Sequence, residues 1–125
     1  MMLIALIFIS FSVALHIFIW VLEQFLWDKP QGMKTFNMDP EFAQATRELA
    51  ANQGLYNLML AITMLVGVIA TAIGTPWGVA LCFAGAGSTV MAGIYLALTS
   101  KDKVKPAIMQ LTPGLIGCIV LALAL

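Results

Sequence analysis

LAANQGLYNLMLAITMLVGVIATAI, residues 49–73, contains no Asp, Glu, Lys, Arg or His. At about 1.5 Å of rise per residue it crosses a hydrocarbon core of roughly 30 Å with length to spare. The stretch reads as a lipid-spanning helix, and it sets the class of the whole chain. Windows 77–100 and 104–125 are as long and almost as free of charge, and window 1–27 carries one acid, Glu23, near its end. The first window is expected to be a retained helix. It has no basic segment before its apolar run, that run exceeds a signal core, and no A-x-A site precedes the polar loop. Ten-residue alternating segments of the kind that build a spanning barrel are absent. The expectation is an all-α polytopic membrane protein, a four-transmembrane-helix bundle in a single domain over 1–125, with helices at about 2–27, 40–73, 76–100 and 104–125.

Composition agrees. The chain has 62% hydrophobic and 10% charged residues and a mean hydropathy of +0.99. Soluble domains run to about 45–50% apolar and about 25% charged. Net charge is zero and no basic cluster suited to phosphate neutralisation occurs, so nucleic acid is not an expected partner. Cys82 and Cys118 both fall inside apolar windows without metal-ligand spacing, which predicts small buried hydrophobes and no metal site.

The connections are unequal. Residues 28–48 form the one substantial loop, Gly74-Thr75-Pro76 a tight turn and Lys101-Asp102-Lys103 another. In the long loop, Asp39-Pro40-Glu41 has the form of a helix start: an Asp cap, Pro at the first helical position and an acid in the first turn. A helix running unbroken over 40–73 would measure about 51 Å, so its first turns are expected to protrude or to bend along the surface. All six basic residues lie at one end: Lys29, Lys34 and Arg47 in the long loop, and Lys101, Lys103 and Lys105 around the third connection. By the positive-inside rule both of these loops face the cytoplasm and both termini face out of a plasma membrane, with Trp27 and Trp77 near opposite boundaries.

Polar groups inside a membrane need protein partners, so their depth locates chemistry. Glu23, Asn52, Gln53, Tyr56, Asn57, Tyr95, Thr99 and Gln110 all fall in the third of the bundle next to the basic loops. The other half offers much less, hydroxyls such as those of Thr63, Thr71, Ser88, Thr89 and Thr112, which can bond back to their own helices. A pore needs a continuous polar lining, so a cup open to the cytoplasm fits better. On the first helix Ser12, His16, Trp20, Glu23 and Trp27 share one face, expected to point inward. On the second, Glu48, Asn52, Tyr56 and Thr63 share another, with Gln53 and Asn57 beside it. Gly78, Gly85, Thr89 and Gly93, and likewise Gly114, Gly117 and Cys118, make small-residue strips for close helix packing, within the protomer or between copies. Small-residue strips on several faces lead to the expectation of a homo-oligomer in the lipid bilayer.

Glu23, Asn52, Gln53, Tyr56, Asn57 and Gln110 are the candidate ligand-binding set, with His16, Trp20, Trp27 and Tyr95 as secondary members. Glu23 has no cation near it in the sequence and is expected either to exchange a proton when a ligand arrives or to be tied to the amides of the second helix and fix register. His16 lies about 10 Å deeper, too far for a direct bond to Glu23. Interhelical bonds in membranes are worth about 0.6 to 2 kcal/mol each, so four polar residues in 52–57 exceed the need of one helix contact.

The run from His16 to Trp27, Phe36, the ANQGLYN run from Ala51 to Asn57 and the segment from Gln110 to Gly114 together resemble the small bacterial membrane proteins grouped as domain-of-unknown-function family 1304. The likeness covers nearly the whole chain. Leu111 and Thr112 stand between Gln110 and Pro113, a departure from that family's glycine-then-proline spacing. What the resemblance implies is an integral membrane protein of four helices whose activity is open.

The first functional expectation is therefore small-molecule binding, or association with transport, in an inner-end pocket. RELAANQGLYN is also a little similar to the Arg-Ala-x-x-Asn-x-x-Glu-Asn run of the membrane-associated eicosanoid and glutathione metabolism family, which raises a glutathione-dependent enzyme as the alternative, with Tyr56 where that family has an acid. A proton-coupled exporter similar to the small multidrug resistance family is a third, weakened by the fixed orientation that six basic residues at one end impose. Cofactor, substrate and catalytic residues stay open.

Overall fold

The computed structural model describes residues 1–125. Four long helices, α1 (Met2–Gln24), α4 (Arg47–Ala72), α5 (Trp77–Thr99) and α6 (Val104–Leu123), form an all-α bundle, and each is long and apolar enough to cross a membrane. The chain is a multi-pass membrane protein. Two short helices, α2 (Pro30–Thr35) and α3 (Pro40–Ala45), occupy the long loop, and a 3-10 turn (Lys101–Lys103) leads into α6. The long helices make a ring in which α1 packs on α4, α4 on α5, α5 on α6, and α6 back on α1. Both termini and the Gly74-Thr75-Pro76 turn lie at one end, called here the terminal end, and all six basic residues lie at the other, the basic end.

The expected continuous helix over 40–73 is broken at Thr46, whose backbone (φ −106°, ψ 5°) leaves α3 and starts α4. Its hydroxyl donates to the Phe42 carbonyl at 2.7 Å and accepts from the Trp27 indole nitrogen at 3.0 Å. A side-chain bond into the last turn of α3 competes with helix continuation, and the indole holds the junction against the end of α1. Arg47 adds an ion pair to Asp28 at 3.4 Å. The Asp39 cap is present, its carboxylate accepting from the Phe42 amide at 2.8 Å. Helix α1 stops at Gln24, short of the expected Trp27, because the chain turns there and α2 crosses directly over it. A β-carbon at Gly32 would stand 2.1 Å from the Leu26 carbonyl oxygen, so only glycine permits that crossing. Gly74, at φ +79°, closes α4, and Thr75 donates back to the Ala70 carbonyl at 2.8 Å.

The glycine strips are consumed inside this ring. Gly67 lies against the Cys82 backbone, Gly78 against Thr71, Gly85 against Met64, Gly93 against Leu111, Gly114 against Thr89 and Gly117 against Ile9. The apolar core, with Ala5, Ile9, Ala61, Met64, Cys82, Ala86 and Leu121 all at or near zero exposure, sits toward the terminal end.

Candidate functional site

The inward face of α1 carries Ser12, His16 and Glu23, all buried, while Trp20 and Trp27 are half-buried at its edge. Glu23 Oε1 accepts from Asn57 Nδ2 at 3.2 Å, a contact from α1 to α4. The same Asn57 amide also reaches the Gln53 carbonyl at 3.3 Å. Glu23 Oε2 has no hydrogen-bond partner. Gly54, one turn from Asn57, brings the backbones together: its β-carbon position is 3.1 Å from Glu23 Cβ and 3.3 Å from the Trp20 carbonyl oxygen. His16 Nδ1 donates to the Ser12 carbonyl at 2.8 Å within its own helix, and Nε2 is without a partner.

Of the amide-rich run on α4, only Asn57 points inward. The buried line of α4 is Ala50, Gly54, Asn57, Ala61, Met64, Gly67 and Ala70. Asn52, Gln53 and Tyr56 lie on exposed faces, as does Glu48, so the face shared by Glu48, Asn52, Tyr56 and Thr63 is turned away from the centre of the ring. The physical reason is backbone approach. α4 meets α1 through its small residues, and the bulkier amides and phenol fall at the membrane boundary, where headgroups and water satisfy them. Tyr95 is exposed on α5. Trp20 donates to Gln24 at 2.6 Å, and the Trp27 ring lies 5.1 Å from that of Phe36. The candidate residues thus separate into a buried pair, Glu23–Asn57, and a dispersed remainder.

None of the three principal clefts is lined by Glu23, Asn52, Gln53, Tyr56 or Asn57. Gln110 does line one, a cleft of about 350 Å³ at the basic end between α1, α2 and α6. Its walls are Leu15, Phe18, Ile19 and Leu22 of α1 and Pro106 and Met109 of α6, and its mouth carries Lys34, Thr35 and Phe36 of α2 and Lys105. Leu15, Phe18, Ile19 and Leu22 stand at i, i+3, i+4 and i+7, one stripe of the helix. Glu23 and Asn57 anchor the opposite flank of α1 to α4, and so hold this stripe toward α6. Pro113 inside α6 removes the N–H that would bond the Met109 carbonyl, leaving an acceptor near the cleft floor. A groove lined by Phe8, Phe11, Leu15, Thr112, Pro113 and Ile116 continues the seam toward the terminal end and shares Leu15 with the cleft.

Lys34, Thr35, Lys105, Pro106 and Met109 line this cleft without being among the candidates that the sequence offers. The lysines were read only as orientation charges. The signal that would have found the cleft is the 15, 18, 19, 22 stripe, which lies beside the polar face of the same helix.

No group of three or more His, Cys, Asp or Glu residues is arranged to hold a metal ion. No curated protein and no solved structure matches the chain. The family described as protein of unknown function (DUF1304) matches over residues 10–122, nearly the full length, and the chain belongs to that family.

Proposed function

We propose that the protein is a membrane-embedded binding protein whose ligand is an amphiphile, held in the cleft between α1, α2 and α6 at the basic end. One observation carries this reading. A cleft of about 350 Å³ places apolar walls from two spanning helices below a mouth bearing Thr35, Gln110 and two lysines. Such a site takes an apolar chain alongside α1 and α6 and a polar head at the mouth, the usual division of a ligand pocket into apolar walls and a few orienting polar groups. The basic end faces the cytoplasm in this reading, because every Lys and Arg lies there. Glu23 and Asn57 set the position of the α1 wall and do not touch the ligand.

A photoactivatable alkyl diazirine with a neutral sugar head tests the proposal in detergent-purified protein. Crosslinks mapped by mass spectrometry should concentrate on residues 15–22 and 106–110. Met109→Trp, which fills the cleft, should reduce them severalfold. Even labelling of the exposed faces of α4 and α5, at residues such as Met59 and Leu98, would remove the reading.

A further inference from the structure

We propose that the ligand of this cleft is an anionic phospholipid of the surrounding bilayer, its phosphate held between Lys34 and Lys105. The inference rests on the amphiphile-binding reading and adds the chemistry of the head. Lys34 comes from α2 and Lys105 from the first turn of α6, and both reach the mouth of one cleft. Neither lysine has an acidic partner: the two ion pairs of the protein are Asp28–Arg47 and Asp102–Lys103. No Asp or Glu lines the cleft, so the two lysines among its lining residues have no carboxylate there to offset their charge. Thr35 and Gln110 supply neutral polar groups beside them.

The apolar part of the site points to a lipid and not to a free anion. Below the lysines the walls are Phe18, Ile19, Leu22 and Met109, and the seam runs on through Leu15 to the groove beside Pro113. From Leu22 to Phe8 this covers about 21 Å of α1 at the helical rise, more than the roughly 15 Å of one leaflet in a roughly 30 Å hydrocarbon core, so an acyl chain can lie along it throughout its leaflet. An inorganic anion would use the mouth and leave that seam empty, whereas an acyl chain occupies it. Lys105 stands in the first turn of the spanning helix α6 and Lys34 in the loop helix beside it, at the basic end of the bundle. Basic pockets between spanning helices are a recurring means of holding such head groups.

The test uses the full protein in nanodiscs of phosphatidylcholine with a rising fraction of phosphatidylglycerol, with retained lipid counted by native mass spectrometry. Wild type should retain phosphatidylglycerol in preference to phosphatidylcholine. The Lys34→Gln/Lys105→Gln double variant should lose about 30-fold in that preference, from about a factor of five per lysine. Lys29→Gln/Lys101→Gln removes the same charge from the same end but leaves the cleft mouth intact, and should retain the preference. Equal losses in the two double variants would assign the effect to general surface charge and overturn the proposal. So would the absence of any preference in wild type. Displacement of the lipid by excess inorganic phosphate would also overturn it, by assigning the mouth to the ion alone. If the neutral diazirine probe still maps to the seam while the lysine variants change nothing, the head-group inference fails and the binding cleft stands. If the seam is never labelled, the cleft itself fails.

Discussion

The two ends of the bundle are built by different means. At the terminal end, glycines let backbones touch and side chains such as Ile9, Met64 and Leu121 fill the centre of the ring, so that the grooves there, such as that of Leu3, Ile7, Phe11, Val68 and Ala72 between α1 and α4, are apolar and lie on its outer surface. At the basic end one buried carboxyl–amide pair, an indole–hydroxyl bond and an exposed ion pair hold α1, α4 and the loop helices, and a cleft opens beside them. Close packing leaves no room for a guest at that centre, while polar point contacts fix helix positions and allow one.

Substitutions that exchange these properties should separate the ends. The largest effect is expected of Gly78→Leu. A β-carbon there lies 2.4 Å from the Thr71 amide nitrogen, a backbone atom that has nowhere to move, so the variant should show no folded form in a detergent unfolding titration. Gly87→Leu on the same helix meets nothing within 4 Å and should unfold like wild type. Ile9→Ala, at zero exposure in the terminal core, should cost about 2–5 kcal/mol in the same titration. Phe18→Ala, half-exposed on the cleft wall, should leave unfolding nearly unchanged and reduce diazirine labelling of α1. A reversal of that pair would erase the distinction between the ends.

Asn57→Ala removes the donor to Glu23 and should cost about 1 kcal/mol, with a coupling to Glu23→Ala in a double-mutant cycle of the same size. A cycle without coupling would leave the α1–α4 register to Gly54 alone. The smallest effect belongs to Arg47→Ala. Its guanidinium is 64% exposed, so the pair with Asp28 should contribute at most about 1 kcal/mol, and that contribution should fade as salt is raised.

Class and helix number could be read from residues 49–73 and their three counterparts, because spanning length and freedom from charge are one-dimensional properties. The inward side of α1 was legible too, since Ser12, His16 and Glu23 fall on one face of a helix whose other polar residues are few, Ser10 and Gln24 among them. The inward side of α4 was not. A polarity argument favours turning Asn52 and Tyr56 inward, but the helix turned its small residues toward its neighbour, and Ala50, Gly54 and Ala61 carry little signal in a run already apolar. The break at Thr46 escaped because it depends on Trp27, nineteen residues away. The cleft escaped for a related reason: its walls belong to α1 and α6 and its mouth to α2, and nothing in any one of these segments announces the others.

The ring is closed by its first and last long helices. Every other seam joins consecutive spans and can form as soon as the second of them is made, but this one waits for the whole chain. During synthesis the groove beside Leu15 and Pro113 is therefore the last part of the molecule to be assembled, and a ribosome stalled before α6 leaves α1 with only one flank covered. The cleft between α1, α2 and α6 thus exists only once α6 has been added to the bundle.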